Sequence, residues 1–349
     1  MENKTFIKIS ISLLLILLVA VLTLQIVIDP LFQYHTPWFN MKPVISNERY
    51  QNAGIAKNFD FDNAIIGNSL SENFKVSDIN DAFGGTTVKL TASGSHTLDW
   101  TYILNLLNKK DKTVKNIILN MDPFIFQASY TELKHYIPTY LYDNNYLNDV
   151  NYIFNFSIIN DFTYDFILSN TKNKIPDYNK FMLWDDSFKF GKDFVLRNYT
   201  RPEIKNEKVD IDGFKSNVTE NLNLLLPYIK DMKDTSFIFF FSPFSMIYWD
   251  SQIRQNLLDQ KKQGYMTACE ILSKYDNVVL YLWADDEMLS VMSNLENYLD
   301  ESHYSPEICE MMSDRISKKQ GIVNSDTYIN EVEKLFKYIE LFDYNSLFE

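Results

Sequence analysis

Glycine is scarce in this chain. Nine occur among 349 residues, and none stands in a GxxxxGK[ST] or GxGxxG pattern. Phosphate-cradling loops of those kinds are therefore excluded. Two cysteines are too few for a disulfide scaffold or a zinc ribbon. Basic residues are outnumbered, 33 against 46 acidic, for a formal net charge of −13. Nothing in that balance suggests the basic face a nucleic-acid binder needs. Histidine is rare, with four residues, and neither H-x-x-x-H nor a clustered Asp/His run occurs. No metal site and no cofactor are expected from such a pattern. What the chain does have is apolar and aromatic: 46% hydrophobic residues, including 26 Phe and 22 Tyr. That composition excludes wholesale disorder, and the length suffices for one large domain or two small ones.

One apolar run is long. Residues Ile9 to Ile28 are 20 residues without a charge, about 30 Å of helix at 1.5 Å per residue, enough to span a bilayer core. Lys4 and Lys8 precede it and Asp29-Pro30 follows. The positive-inside rule then places the N-terminus in the cytoplasm and residues 30–349 outside, anchored to the cell membrane by one pass. The competing reading is a cleaved signal peptide, but no small-x-small site follows the run. Outside the cell Cys269 and Cys309 could pair; two separate buried thiols are equally compatible with the sequence.

Past the anchor (1–30), residues 31–59 show no clear period and read as a stalk or wrapping segment. From residue 60 the pattern is regular. Short apolar runs at Asn63–Gly67, Thr87–Thr91, Val114–Met121, Ser236–Phe241 and Asn277–Trp283 alternate with helical patterns at Thr97–Leu107, Asp212–Met232 and Asp250–Tyr275. Such alternation predicts an α/β domain over 60–349, a mostly parallel sheet flanked by helices. Residues 124–210, rich in Tyr, Phe, Asn and Asp, break the rhythm and read as an insertion, either a helical lid or irregular aromatic packing. Asp326–Phe342 is an amphipathic helix pattern.

The sharpest local feature is Ile65-Ile66-Gly67-Asn68-Ser69-Leu70. A buried strand ends in Gly, and Ser69 follows at the expected start of a helix. Its hydroxyl then stands at the carboxyl end of a strand, where open α/β sheets bind ligands, beside N–H groups that favour an anion. A serine nucleophile needs a base. Among the four histidines the reading singles out His303, which has an Asp three residues earlier, Asp300, to orient it. Ser305-Pro306 then starts a helix well, Ser as N-cap and Pro in the first turn. His35 reads as interfacial packing, His96 as a helix-start residue, and His135 falls in the insertion. Ser69 as a mere helix cap, and Asp300 and His303 as a surface pair, are the bland alternatives.

In block order the chain resembles the SGNH/GDSL hydrolase superfamily. It is most similar to the membrane-anchored branch of the teichoic acid D-alanine transfer protein and the alginate acetylation proteins. Gly67-Asn68-Ser69-Leu70 resembles the first block, Ser93-Gly94 the second, and Asp300-x-x-His303 the last and most specific. The loop Phe240 to Ser245 and the run Tyr298 to Ile308 look like that branch too. The usual Asp of the first block is Asn68 here. The third block, G-x-N-D in the family, is replaced by Leu119-Asn120-Met121-Asp122. The resemblance implies a flavodoxin-like three-layer fold with a Ser69, His303, Asp300 triad. It also implies an oxyanion hole of the Ser69 and Gly94 N–H groups with the Asn120 side chain. The implied activity is a serine esterase or O-acyltransferase acting on cell-envelope polysaccharide or teichoic acid, with an integral membrane O-acyltransferase as partner. The rival readings are a non-catalytic assembly or polysaccharide-binding module on the same fold, and a tethered lipase.

Overall fold

The computed structural model describes residues 2–123, 127–184, 188–206 and 209–349. They form two compact units: Met1–Phe59 with Ile137–Tyr178, and Asp60–Tyr136 with Asn179–Glu349.

The larger unit is an α/β fold around a mixed six-stranded sheet. Its strands are β1 (Asn63–Ile66), β2 (Thr87–Lys89), β3 (Asn116–Met121), β4 (Ser236–Phe241), β5 (Val278–Tyr281) and β6 (Ile322–Val323). The order is β2-β1-β3-β4-β5-β6. The first five run parallel, and β6 closes the edge antiparallel to β5. In register, Ile65, Ile118, Ile238 and Val279 make one row across the sheet, with Lys89 at its β2 end. Every residue of β1 and β2 is buried, as are all but the first of β3 and of β4. Burial on both faces is what a helix-covered parallel sheet requires, and it explains the unbroken apolar runs.

The crossovers set the layers. The β1–β2 connection moves one way across the sheet, whereas β2–β3, β3–β4 and β4–β5 move the other way. Right-handed crossovers therefore put their helices on opposite faces. Accordingly helix Val76–Phe83 packs with Pro306–Ser317, while Ile211–Asp231 packs with Thr97–Asn108 and Leu258–Leu272. The expected single helix over 250–275 is two, Met246–Arg254 and Leu258–Leu272. The chain breaks at Asn256, which adopts a left-handed φ of 59°, a conformation asparagine tolerates better than most residues.

The smaller unit holds helix Glu2–Ile28, helix Glu48–Asn58 and short helical pieces between Val150 and Thr171. Residues 3–28 are long and apolar enough to cross a membrane, by length and composition. Within 31–59, Leu31, Phe32, Ala53, Ile55 and Ala56 are completely buried. Gly54 is required there, because a Cβ would lie 2.0 Å from the Leu31 carbonyl oxygen. The segment read as one insertion, 124–210, divides: 137–178 groups with the N-terminal residues, and its flanks belong to the α/β unit. Its expected start, at Phe124, lies outside the described residues. Cys269 and Cys309 are separate buried thiols, not a disulfide. Burial pushes the Cys269 thiol up to about 12 and raises that of Cys309 as well.

Candidate active site

The strand order reverses between β1 and β3, and the crevice at their carboxyl ends is where such sheets bind ligands. β1 delivers Gly67, Asn68 and Ser69 to that point. Gly67 is there because backbone and side chains meet: a Cβ would lie 2.2 Å from Asn120 Oδ1 and 2.4 Å from Ser71 Oγ. The helix expected to start at Ser69 is not an α-helix. Ser69 opens a single 3-10 turn, Ser69–Ser71, capped by Asn68, whose Oδ1 accepts from the Leu70 N–H at 3.0 Å. Three residues carry little helix dipole, so this turn offers an anion individual N–H groups rather than a helix end.

Ser69 Oγ lies 2.9 Å from His303 Nε2. His303 Nδ1 lies 2.7 Å from Asp300 Oδ2. With Nδ1–H donated to Asp300, Nε2 is left to accept the serine proton. Asp300 Oδ1 accepts from the N–H groups of Ser302 and His303, each at 2.8 Å, and from Ser302 Oγ at 3.1 Å. Burial alone would raise the Asp300 pKa. The hydrogen bond and charge of His303 and the two N–H groups outweigh it and hold the carboxyl below its ordinary value. The i, i+3 spacing works because the loop turns back on itself. Leu299 N–H donates to the His303 carbonyl at 2.9 Å, and Tyr298 bridges Tyr304 in antiparallel fashion.

Buried tyrosines fix this loop against the Ser69 turn. Tyr304 Oη donates to the Leu70 carbonyl at 2.7 Å, and Asn73 Nδ2 donates to the Tyr304 carbonyl at 2.8 Å. On the other side Tyr298 Oη donates to the Pro243 carbonyl and Ser245 Oγ to the Glu301 carbonyl, both at 2.7 Å. The loop after β4 thus holds the Asp300–His303 segment from below.

Ser69, Gly94, His96, Tyr130, Lys134 and His303 are among the residues lining a cavity of about 240 Å³. Among the described residues, the backbone N–H groups of Ser69 and Gly94 have no hydrogen-bond partner. Gly94 has φ +67°, and a Cβ there would meet His135 Nε2 at 2.7 Å. Asn120 departs from expectation. It is completely buried, and Nδ2 donates both protons inward, to Asp122 Oδ2 at 2.6 Å and Asn68 Oδ1 at 3.1 Å. Its Oδ1 accepts from Asn68 N–H at 3.2 Å and Ser71 Oγ at 2.9 Å. An amide so engaged has no proton left for an oxyanion; it positions the Asn68–Ser71 turn instead.

His96 caps helix Thr97–Asn108 as read, through Asp99, and also reaches the cavity with its ring stacked on Tyr130 at 3.8 Å. His35 belongs to the smaller unit, where it stacks on Trp38.

Three residues escaped the sequence reading. Trp184 stacks on the His303 ring, centroids 4.4 Å apart, and its Nε1 donates to Glu72 Oε2 at 2.9 Å. Glu72 is fully buried three residues after Ser69 and also accepts from Ser93 Oγ at 2.6 Å. Its pKa is raised by burial, more than those hydrogen bonds and the nearby His303 and Lys89 lower it. Lys89, fully buried in β2, donates to the carbonyls of Glu72 and Phe181 at 2.7 Å each. Only Glu72 carried a signal, its i+3 spacing from Ser69; the others depend on where distant segments land.

No protein-family model matches the chain. A search of curated proteins found no match either.

Proposed function

We propose that this chain is a membrane-anchored extracytoplasmic serine esterase or O-acyltransferase of the SGNH/GDSL kind. The observation that carries the reading is the continuous Ser69–His303–Asp300 relay, 2.9 and 2.7 Å, beside two backbone N–H groups without partners among the described residues. Ser69 Oγ attacks an acyl carbonyl carbon while its proton passes to His303 Nε2. The N–H groups of Ser69 and Gly94 receive the oxyanion. As the intermediate collapses, the leaving oxygen takes the proton from His303 and the acyl group stays on Ser69. An incoming hydroxyl, of a sugar or of water, then gives its proton to Nε2 and attacks the acyl-serine, which restores the enzyme. A cavity of about 240 Å³ suits a short acyl group such as acetyl or alanyl, and the Ser95, Gln127, Lys134 and Ser302 side chains in its lining suit a polysaccharide or teichoic acid acceptor. The acyl donor in this reading is an integral membrane O-acyltransferase.

The anchor reading has its own support. Gln25, in the last turns of the apolar helix, is completely buried, and its Nε2 donates to Thr163 Oγ1 at 2.9 Å. His35 Nε2 lies 2.7 Å from the Ile26 carbonyl oxygen. A leader removed by a peptidase would take part of this folded unit with it, so the helix reads as retained. Lys4 and Lys8 orient its start towards the cytoplasm.

One observation favours the non-catalytic module: Asn120 supplies no oxyanion proton, and losing one such donor typically costs about a hundred- to a thousandfold in rate. A serine-directed fluorophosphonate separates the two. The full chain in detergent micelles is treated and the adduct mapped by mass spectrometry. Modification of Ser69, abolished in Ser69→Ala and in His303→Ala, is the expected result. A folded chain without an adduct would overturn the enzyme reading.

A further inference from the structure

The smaller unit leaves a band of large apolar side chains in the open. Phe156 is 79% exposed and Leu147 is 90% exposed, with Val150 and Phe154 nearby in sequence. Trp38 and Phe39 add two more on the chain that leaves the apolar helix. From Asn144 to Thr171 there is no Lys or Arg, and only three Asp. One of these, Asp149, accepts a hydrogen bond from Tyr34 Oη at 2.9 Å. A soluble surface of that length would ordinarily carry mixed charge.

The place of this band along the helix is fixed by contacts. Residues 3–20 of the helix are exposed, and cover begins at residue 21. The covering pieces are Val150–Ile153 and Ile159–Thr163, tied on by the Gln25–Thr163 hydrogen bond. Tyr152 Oη donates to Asp29 Oδ1 at 2.7 Å, just past the helix end. If residues 9–28 fill the hydrocarbon core, residues 21–28 occupy its outer ~12 Å at 1.5 Å per residue. The pieces packed against those turns are then at the same depth; their exposed residues are Val150 with Asn151, and Asn160 with Asp161, a mixed set that suits the headgroup side of the outer leaflet, and the exposed apolar Leu147, Phe154 and Phe156 flank them. The backbone there is helical, and Asn155 Oδ1 accepts from the Ser157 and Ile158 N–H groups. That satisfies polar groups internally, as low-dielectric surroundings demand. Trp38, stacked on the His35 ring that reaches the Ile26 carbonyl, has the placement of an interfacial aromatic belt.

We propose that residues 146–167, with Trp38 and Phe39, form a second membrane contact: an aromatic collar around the outer end of the anchor that rests in the outer leaflet. The anchor becomes a firm mount, because helix and collar are one folded unit. This proposal rests on the membrane-spanning reading of residues 9–28, and its test separates the two.

The full chain is reconstituted into lipid nanodiscs with an environment-sensitive fluorophore on a single introduced thiol. Cys269 and Cys309 are completely buried and stay unlabelled in the native protein. The variants are Phe156→Cys and Leu147→Cys in the collar and Leu17→Cys in mid-helix; all three side chains are exposed. Lipids carry a nitroxide either near the headgroup or near the chain end. Both collar labels are expected to shift to the blue and to be quenched more by the shallow nitroxide, the helix label more by the deep one. Collar labels with water-like, unquenched emission beside a quenched helix label would overturn the collar and keep the anchor. Blue-shifted but unquenched collar labels would mean that protein, a second copy or another partner, covers the band, and would also overturn it. A helix label that no nitroxide reaches would remove the anchor and the collar together.

Discussion

Replacing Lys89 by Met should change how stability depends on pH more than it changes stability itself. Lys89 is fully buried at the β2 edge. Burial lowers its pKa from 10.5 to about 8, outweighing the nearby Cys309, Glu72 and Asp78, which raise it. At ~1.4 kcal/mol per pKa unit, the charged lysine weakens the fold by roughly 3 kcal/mol relative to the neutral one. Below about pH 8 both folded and unfolded chains are charged and the full penalty is present. Between about 8 and 10.5 the unfolded chain still holds the proton that the folded one has released, so stability rises with pH. Lys89→Met removes that penalty, but it also leaves the Glu72 and Phe181 carbonyls without their 2.7 Å donor, at about 1–3 kcal/mol each. The two effects offset at neutral pH, so the variant should lie close to the wild type there. It should fall behind by roughly 3 kcal/mol near pH 10.5, because only the wild type gains. Urea unfolding of the full chain in micelles, followed by tryptophan fluorescence, reads this out: Trp100, Trp184, Trp249 and Trp283 all lie in the α/β unit. A wild-type-to-variant gap of the same size at pH 7.5 and pH 10 would refute the reasoning.

Asp300→Asn keeps the shape of the loop but loses the carboxylate that holds His303 in the required tautomer. A fall in kcat on the order of 10⁴-fold with little change in KM is expected in steady-state ester hydrolysis. Trp184→Ala removes the ring against His303 and one of the hydrogen bonds to buried Glu72. Single-turnover acylation of Ser69 should slow, whereas Trp184→Phe, which keeps a ring, should retain more of the rate. Gly94→Ala meets both a left-handed φ and the His135 imidazole. It should lower kcat/KM and cost about 1–2 kcal/mol from the backbone alone; adding His135→Ala should recover the steric part only, as thermal melts and kinetics would show.

Most of the parallel strands were legible because β1 to β4 are buried almost throughout, so Asn63–Ile66 and Ser236–Phe241 stand out as apolar runs without needing partners to be known. β6 was not, since two residues carry no period and their pairing with Leu280 and Tyr281 is decided by tertiary packing. The break at Asn256 was hidden for a related reason: asparagine in a helical pattern signals little until its φ is seen. In the site, Asp300 and His303 were legible because their relation is local, three residues within one loop. Trp184 and Lys89 were not. Trp184 lies in an aromatic stretch without a period, and a lysine in a short strand reads as solvent-facing. Its burial follows from two carbonyls, one 92 residues away, that no local pattern announces.

Asn68 shows how a departure from the resembled family can be compensated by its neighbours. Its Nδ2 donates to Asp122 Oδ2 at 2.9 Å, while its Oδ1 accepts from Leu70 N–H and Asn120 Nδ2. Asp122 and Asn120 are completely buried at the end of β3. Position 68 must therefore offer one donor and one acceptor, which an amide does and a carboxylate does not. Asn68→Asp would keep the acceptor for the Ser69 turn and set a second oxygen against Asp122 Oδ2. Two carboxylates about 3 Å apart do not both ionise, so the pair would hold a proton in the fold, its apparent pKa raised above the ordinary ~3.9 of Asp. Above that raised value the proton is lost and the variant carries two like buried charges side by side, a loss of about 3 kcal/mol. As pH falls through it the folded state binds a proton that the unfolded chain does not, and the deficit shrinks. Melting temperatures of Asn68→Asp and wild type should therefore converge from pH 8 to pH 5. A gap that does not move with pH would mean that Asp122 is not the partner that makes asparagine necessary here.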